Sequence, residues 1–142
     1  MGASKAEIER AAKRPMAFFP HDSNAADDIK CRRLIRREGA AGYGRWWRLC
    51  ELLASADGHR IDTTTDEDLE LLAESLMLAN GDDAVRFLQV LSDVGLIDGF
   101  GTGQIWSERM DGNALYFGKN RANGGLGGRP KKERGKGDKK TQ

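Results

Sequence analysis

The stretch AAGYGRWWRLCELLASA, from about residue 40 to 56, limits the possible folds more than any other part of the chain. Tyr43, Trp46, Trp47, Cys50 and Leu53 recur at helical spacing, and Leu49 and Leu52 widen that stripe. A helix apolar over so much of its surface is buried nearly all round. Other elements must therefore pack about it. A chain of 142 residues with 39% hydrophobic and 32% charged residues is long enough to supply one such core, with polar extensions.

The flanking signals predict those elements. Ser23 or Asn24 caps a helix in which Cys31, Leu34 and Ile35 form the apolar face, and Gly39 closes it. After Gly58, residues His59–Thr63 read as a short strand. Thr64-Thr65-Asp66-Glu67 forms a capping box for a helix over 65–78, with Leu69, Leu72, Ala73 and Leu76 inward. Asp82 caps a helix over 82–94 whose inward residues are Ala84, Phe87, Leu88 and Leu91. Leu96–Phe100 and Gln104–Glu108 form a hairpin around Gly101-Thr102-Gly103, and a last helix spans about 108–121. The expected fold is mainly α with a small β-hairpin. It is a winged helix-turn-helix with flanking helices and a disordered basic C-terminal tail.

Three segments follow: an N-terminal extension over 1–15, ended by Pro15, a winged-helix domain over 16–118, and a tail over 119–142. The tail holds nine Lys/Arg against Glu133 and Asp138, a net of +7, while residues 15–118 carry ten basic and eighteen acidic groups, a net of −8. From 124 onward the tail has only Leu126 as an apolar side chain, too little to offset the entropy of ordering. An acidic body with a basic tail points to a polyanionic partner for the tail.

Several segments resemble the DnaD-like N-terminal (replisome-organiser) winged-helix family of phage and prophage replication proteins. They are Phe19-Pro20-His21-Asp22-Ser23-Asn24, Asp28, Gly42-Tyr43-Gly44 with Trp46-Trp47, Ser107-Glu108-Arg109-Met110, and Gly127-Gly128-Arg129-Pro130-Lys131-Lys132. The resemblance spans about 17–132. It implies a winged helix used for oligomerisation or DNA binding in replication initiation. Longer members of that family carry a second folded domain after the tail. None is seen here, so a helicase-loading role is not expected.

No catalytic, cofactor or metal site is expected. His21 and His59 have no cysteine or second histidine at ligand spacing. His21 is expected to pack beside Phe18 and Phe19, and Gly99–Gly103 lacks the Lys-Ser/Thr and following helix of a nucleotide loop. Cys31 and Cys50 are too few for a disulfide framework and read as small core residues. Trp46 and Trp47 read as core rather than as a stacking platform, whereas Trp106 either plugs the core or faces a partner.

Two basic features compete as DNA-binding sites. One is the helical stripe Arg32, Arg33, Arg36 and Arg37, joined by Arg45 and Arg48; the other is Arg129, Lys131, Lys132, Arg134 and Lys136 in the tail. Gly128-Arg129-Pro130 partly matches an AT-hook centre, although counterion release needs no motif. The presumed recognition helix opens with Asp82 and Asp83, which would meet phosphate with like charge, so it is not expected to enter the major groove. Trp106, Tyr116 and Phe117 are the expected interface residues. The expected partners are DNA, mainly through the tail, a second copy of the chain and another replication protein. A sequence-specific regulator and a protein-binding adaptor remain the alternatives. The charged N-terminus and the lack of a long apolar run predict no secretory signal, no membrane segment and a cytoplasmic location.

Overall fold

The computed structural model of the protein describes residues 2–125. Among them are five helices, α1 (Lys5–Ala12), α2 (Ile29–Ser55), α3 (Asp66–Ser75), α4 (Gly81–Asp93) and α5 (Glu108–Gly125). Two short strands, β1 (Ile61–Asp62) and β2 (Gln104–Ile105), pair antiparallel, with Ile61 opposite Ile105.

The aromatic-rich stretch lies at the centre, as its periodicity requires. Leu34, Leu49 and Leu53 of α2 are fully buried, and Trp46 and Cys50 nearly so. Gly39, at φ +72°, breaks the helical geometry inside α2, so the two expected helices are two arms of one kinked rod. Its start lies later than expected. Asp28 is the N-cap, its carboxylate accepting from the Lys30 and Cys31 N–H groups, while Ala25–Asp27 forms a single 3-10 turn that Asn24 does not cap.

The next two helices pack on α2 through the inward residues read from the sequence. Leu72, Ala73 and Leu76 of the first segment and Ala84, Phe87, Leu88 and Leu91 of the second are all buried. Their caps are shifted. Thr65, not Thr64, caps α3: its hydroxyl accepts from the Asp68 N–H, and the Asp68 carboxylate accepts from the N–H groups of Thr64 and Thr65. These bonds hold the Asp68 carboxyl below its ordinary range, the Thr65 N–H contributing most. Asn80, not Asp82, caps α4 by accepting from the Asp83 N–H.

The expected hairpin is mostly turn. Its arms are joined at the single bridge Asp98–Trp106, and β2 takes β1 as its neighbour instead. Gly99, Gly101 and Gly103 all have positive φ and curl the intervening chain. At Gly99 a side chain would run into the Gln104 carbonyl and the Trp106 ring. Close approach therefore replaces regular pairing there.

Both segment boundaries need correction. The expected N-terminal extension is, over its described residues 2–15, part of the body, because α1 runs antiparallel along α5. Ala3 N–H donates to Asn123 Oδ1 at 2.8 Å, and Arg121 donates to the carbonyls of Ala11 and Pro15. The tail does not begin at 119 either, since α5 continues through Gly125. The inward residues of α5 are Met110, Ala114 and Gly118, whereas Leu115 and Tyr116 are exposed. Gly118 faces Ala12 of α1 at close range, where a side chain would not fit, and Ala114 joins the main core. The rest of the expected tail, 126–142, lies outside the described residues.

Candidate functional site

Spacing on α2 places Arg32, Arg33, Arg36 and Arg37 on the exposed arc opposite Cys31 and Leu34. Arg37 pairs with Asp93 at 3.4 Å across exposed surface, a contact of little energetic weight. Arg32, Arg33 and Arg36 make no ion pair among the described residues. Arg45 and Arg48 do not extend this arc, contrary to the sequence expectation. Arg45 Nε donates to the Leu76 carbonyl at 2.8 Å, and its guanidinium lies over the Phe87 ring. Arg48 Nε donates to the Ser75 carbonyl at 3.2 Å. Both satisfy carbonyls at the end of α3, where a cation also complements the helix dipole.

The side chains of α4 are held within the protein. Arg86 pairs with Asp83, and Gln89 donates to Asp93. The helix thus shows outward carboxylates and no unpaired cation. The expected DNA contacts Arg129, Lys131, Lys132, Arg134 and Lys136 lie outside the described residues.

The three expected interface residues fall into two settings. Tyr116 and Phe117 form one aromatic cluster with Phe18, each ring meeting Phe117 edge-on at 5.5 Å. Phe18 is 72% and Tyr116 63% exposed, which makes this the most open aromatic surface described. Trp106 is half-buried instead, with the Arg60 guanidinium 4.8 Å above its ring. Arg60 also pairs with Asp111 at 2.9 Å, tying the start of the sheet to α5.

His21 stacks on Trp47 with ring centres 3.6 Å apart, rather than beside Phe18. Phe19 lies parallel to the same indole, and Tyr43 meets it edge-on. His59 is buried, its Nδ1 2.9 Å from the Leu53 carbonyl and its Nε2 2.8 Å from the Ala12 carbonyl. Among the described residues, no group of three or more His, Cys, Asp or Glu is arranged to hold a metal ion. No described helix is long and apolar enough to cross a membrane.

A cavity of about 330 Å3 lies between the Phe19–Asp28 segment, α2 and the start of α5. Sequence periodicity carries no trace of it, because its walls come from distant parts of the chain. The available signal was the set of short motifs: Phe19-Pro20, Asp28, Trp46-Trp47 and Ser107-Glu108-Arg109-Met110 all reach its lining. Cys31 and Cys50 stand in the same wall, and burial pushes both thiols up from their ordinary range.

These features define a mainly helical module with a minimal sheet, a cationic arc on its longest helix and a lined cavity under its motif residues. Residues 18–109 match the family Lin1244/Lin1753-like, N-terminal, and the chain belongs to that family. The match takes in the cationic arc and most of the cavity wall, while α1 and nearly all of α5 lie outside it. No curated protein and no solved structure matches the chain.

Proposed function

We propose that the protein is a non-enzymatic, winged-helix component of DNA replication initiation, of the replisome-organiser kind found in phage and prophage. Its body self-associates or binds a partner protein. DNA phosphates are held by the basic tail and by the arginine arc of α2. The arc carries this reading. Arg32, Arg33 and Arg36 are exposed without ion pairs on a body whose described residues have sixteen basic and twenty acidic side chains, a net of −4. A cationic surface held open against that background fits a polyanion.

The winged-helix part is supported by the order of helices and strands, with the 104–106 segment lying between β1 and Asp98. The role in replication is supported by the motif resemblance. The sequence-specific regulator is the less favoured reading, because Arg86 and Gln89 are engaged by Asp83 and Asp93.

Fluorescence anisotropy with duplexes of unrelated sequence, measured across a salt series, tests the proposal. Replacing Arg32, Arg33 and Arg36 by Ala, or Arg129, Lys131 and Lys132 by Ala, should weaken all duplexes alike. Each lost phosphate contact should lower the slope of log affinity against log salt by about 0.9. If these substitutions are harmless while Arg86→Ala abolishes binding to one preferred duplex, the regulator takes its place. No binding to any duplex at low salt leaves the protein-binding adaptor.

A further inference from the structure

Residues 61–85 hold eight carboxylates and no lysine or arginine. Four of the eight are engaged inside the fold. Asp62 accepts from the Gln104 side chain, Asp68 closes the cap of α3, Glu70 accepts from the Gly81 N–H at 2.9 Å, and Asp83 pairs with Arg86. Asp66, Glu67, Glu74 and Asp82 are exposed and make no ion pair among the described residues. Asp66, Glu67 and Asp82 lie in first turns, where the helix dipole favours an acid. Glu74 has no such reason, because it stands in the last turn of α3.

Glu67, Glu70 and Glu74 also recur at three- and four-residue spacing on the exposed side of α3, where like charges repel. Leu71 stands among them and is 53% exposed. Neither the repulsion nor the bare leucine helps this helix fold. Together they fit a cationic cover with aliphatic stems, which lysine and arginine side chains supply.

The chain carries such a segment. Residues 126–142 hold seven Lys/Arg against Glu133 and Asp138, a net of +5. Their point of attachment permits the contact. β1 leads into α3, β2 leads into α5, and the two strands pair, so the starts of both helices flank one small sheet. The 18 residues of α5 span about 27 Å from that sheet to Gly125. A chain returning at about 3.4 Å per residue covers that distance in about eight residues. Arg134, Lys136, Lys139 and Lys140 are then within reach of α3.

We propose that these four residues dock on the Glu67–Glu74 face of α3 when no DNA is bound. DNA must displace this contact to engage the tail, so α3 regulates the tail instead of touching nucleic acid itself. The docking stands by itself; only its competition with DNA rests on the nucleic-acid reading.

The test places a nitroxide at Thr141→Cys in the full chain and follows backbone amide signals by NMR. Cys31 and Cys50 are buried and stay unlabelled. Without DNA, the signals of 67–74 should lose most of their intensity. They should recover at about 1 M salt, where the Debye length is about 3 Å. They should also recover in Glu67→Gln/Glu74→Gln, which alters two exposed side chains that pair with nothing in the body. That variant should bind duplex DNA roughly threefold more tightly, the effect of losing two exposed ion pairs to the tail. Glu9→Gln/Asp57→Asn makes the same change of charge at exposed positions on other elements and should gain less. The proposal is overturned if the broadening is spread evenly over the body, centres on another element, or survives Glu67→Gln/Glu74→Gln. It is overturned equally if a labelled chain broadens a separate, unlabelled one as strongly as itself. Broadening of 67–74 that duplex DNA cannot relieve supports the docking and counts against the nucleic-acid reading.

Discussion

Gly118 of α5 lies so close to Ala12 at the end of α1 that a β-carbon at 118 would stand 2.6 Å from the Ala12 backbone nitrogen and Cα. In an open helix, Gly→Ala is stabilising by up to about 1 kcal/mol. At this position the sign should reverse. Gly118→Ala must push backbone apart, and overpacking of this kind costs about 1–3 kcal/mol. Gly112, on the same helix with open space around it, supplies the control: Gly112→Ala should stabilise. Urea denaturation of the two variants checks this. Equal shifts would mean that α1 does not hold its place against α5.

The histidine that bridges α1 to the body gives a second prediction. His59→Phe keeps a ring but removes the imidazole N–H that donates to the Ala12 or the Leu53 carbonyl, the latter also accepting from the Ala56 N–H at 3.3 Å. Loss of that donor at a buried site should cost about 1–3 kcal/mol. The first residues of α1 should also become more open to protease. Unchanged stability would show that these carbonyls are satisfied some other way.

Stability should fall at both ends of the pH scale, for separate reasons. The folded Cys50 thiol is pushed up from its ordinary value of 9.0 by burial. Its contribution is therefore complete below that value and is lost as pH rises, when the unfolded thiol ionises and the folded one does not. Asp68 is shifted the other way, below 3.8, by the N–H groups it accepts from. Its contribution is present above that value and is lost as pH falls through the folded value. Melting temperatures across pH should show Cys50→Ala flattening the alkaline limb and Asp68→Asn the acid one.

Phe18 and Tyr116 on either side of Phe117 should mediate self-association. Light scattering of the full chain should show a species larger than one copy, and Tyr116→Lys should shift it toward the monomer without lowering the melting temperature. A monomer at all concentrations would remove self-association from the proposed function.

Much of the architecture was legible where side-chain periodicity decides it. The inward face of α4 matches residue for residue, because 3.6-residue spacing leaves few choices for Phe87, Leu88 and Leu91, whereas on the preceding helix Leu69 is only half-buried while Leu72, Ala73 and Leu76 are buried. The caps of α3 and α4 were misplaced by one or two positions, since Thr64 and Thr65, or Asn80 and Asp82, offer nearly equal local chemistry, and the cap of α2 by four or more, because a 3-10 turn intervenes before Asp28. Pro15 was read as the end of an extension because α1 alone shows no reason to stay. Its partner face on α5 is built from Gly118, Arg121 and Asn123, which carry no hydrophobic signal. At the candidate site, the exposed arginine arc followed from spacing, but the diversion of Arg45 and Arg48 to the carbonyls of Leu76 and Ser75 could not. Those contacts join residues about thirty positions apart, and no local pattern records them.

The seam between α1 and α5 also bears on how the protein is made. Ala3 meets Asn123, so the earliest part of the body to leave the ribosome waits for nearly the last. Until α5 emerges, the nascent chain presents α1 and the underside of α2 without their cover. Contacts of such sequence separation form slowly, and incomplete chains of this sort are prone to aggregate. Stalled or truncated translation products should therefore be far less soluble than the finished chain. Vectorial synthesis thus gives α5 the role of a closing latch.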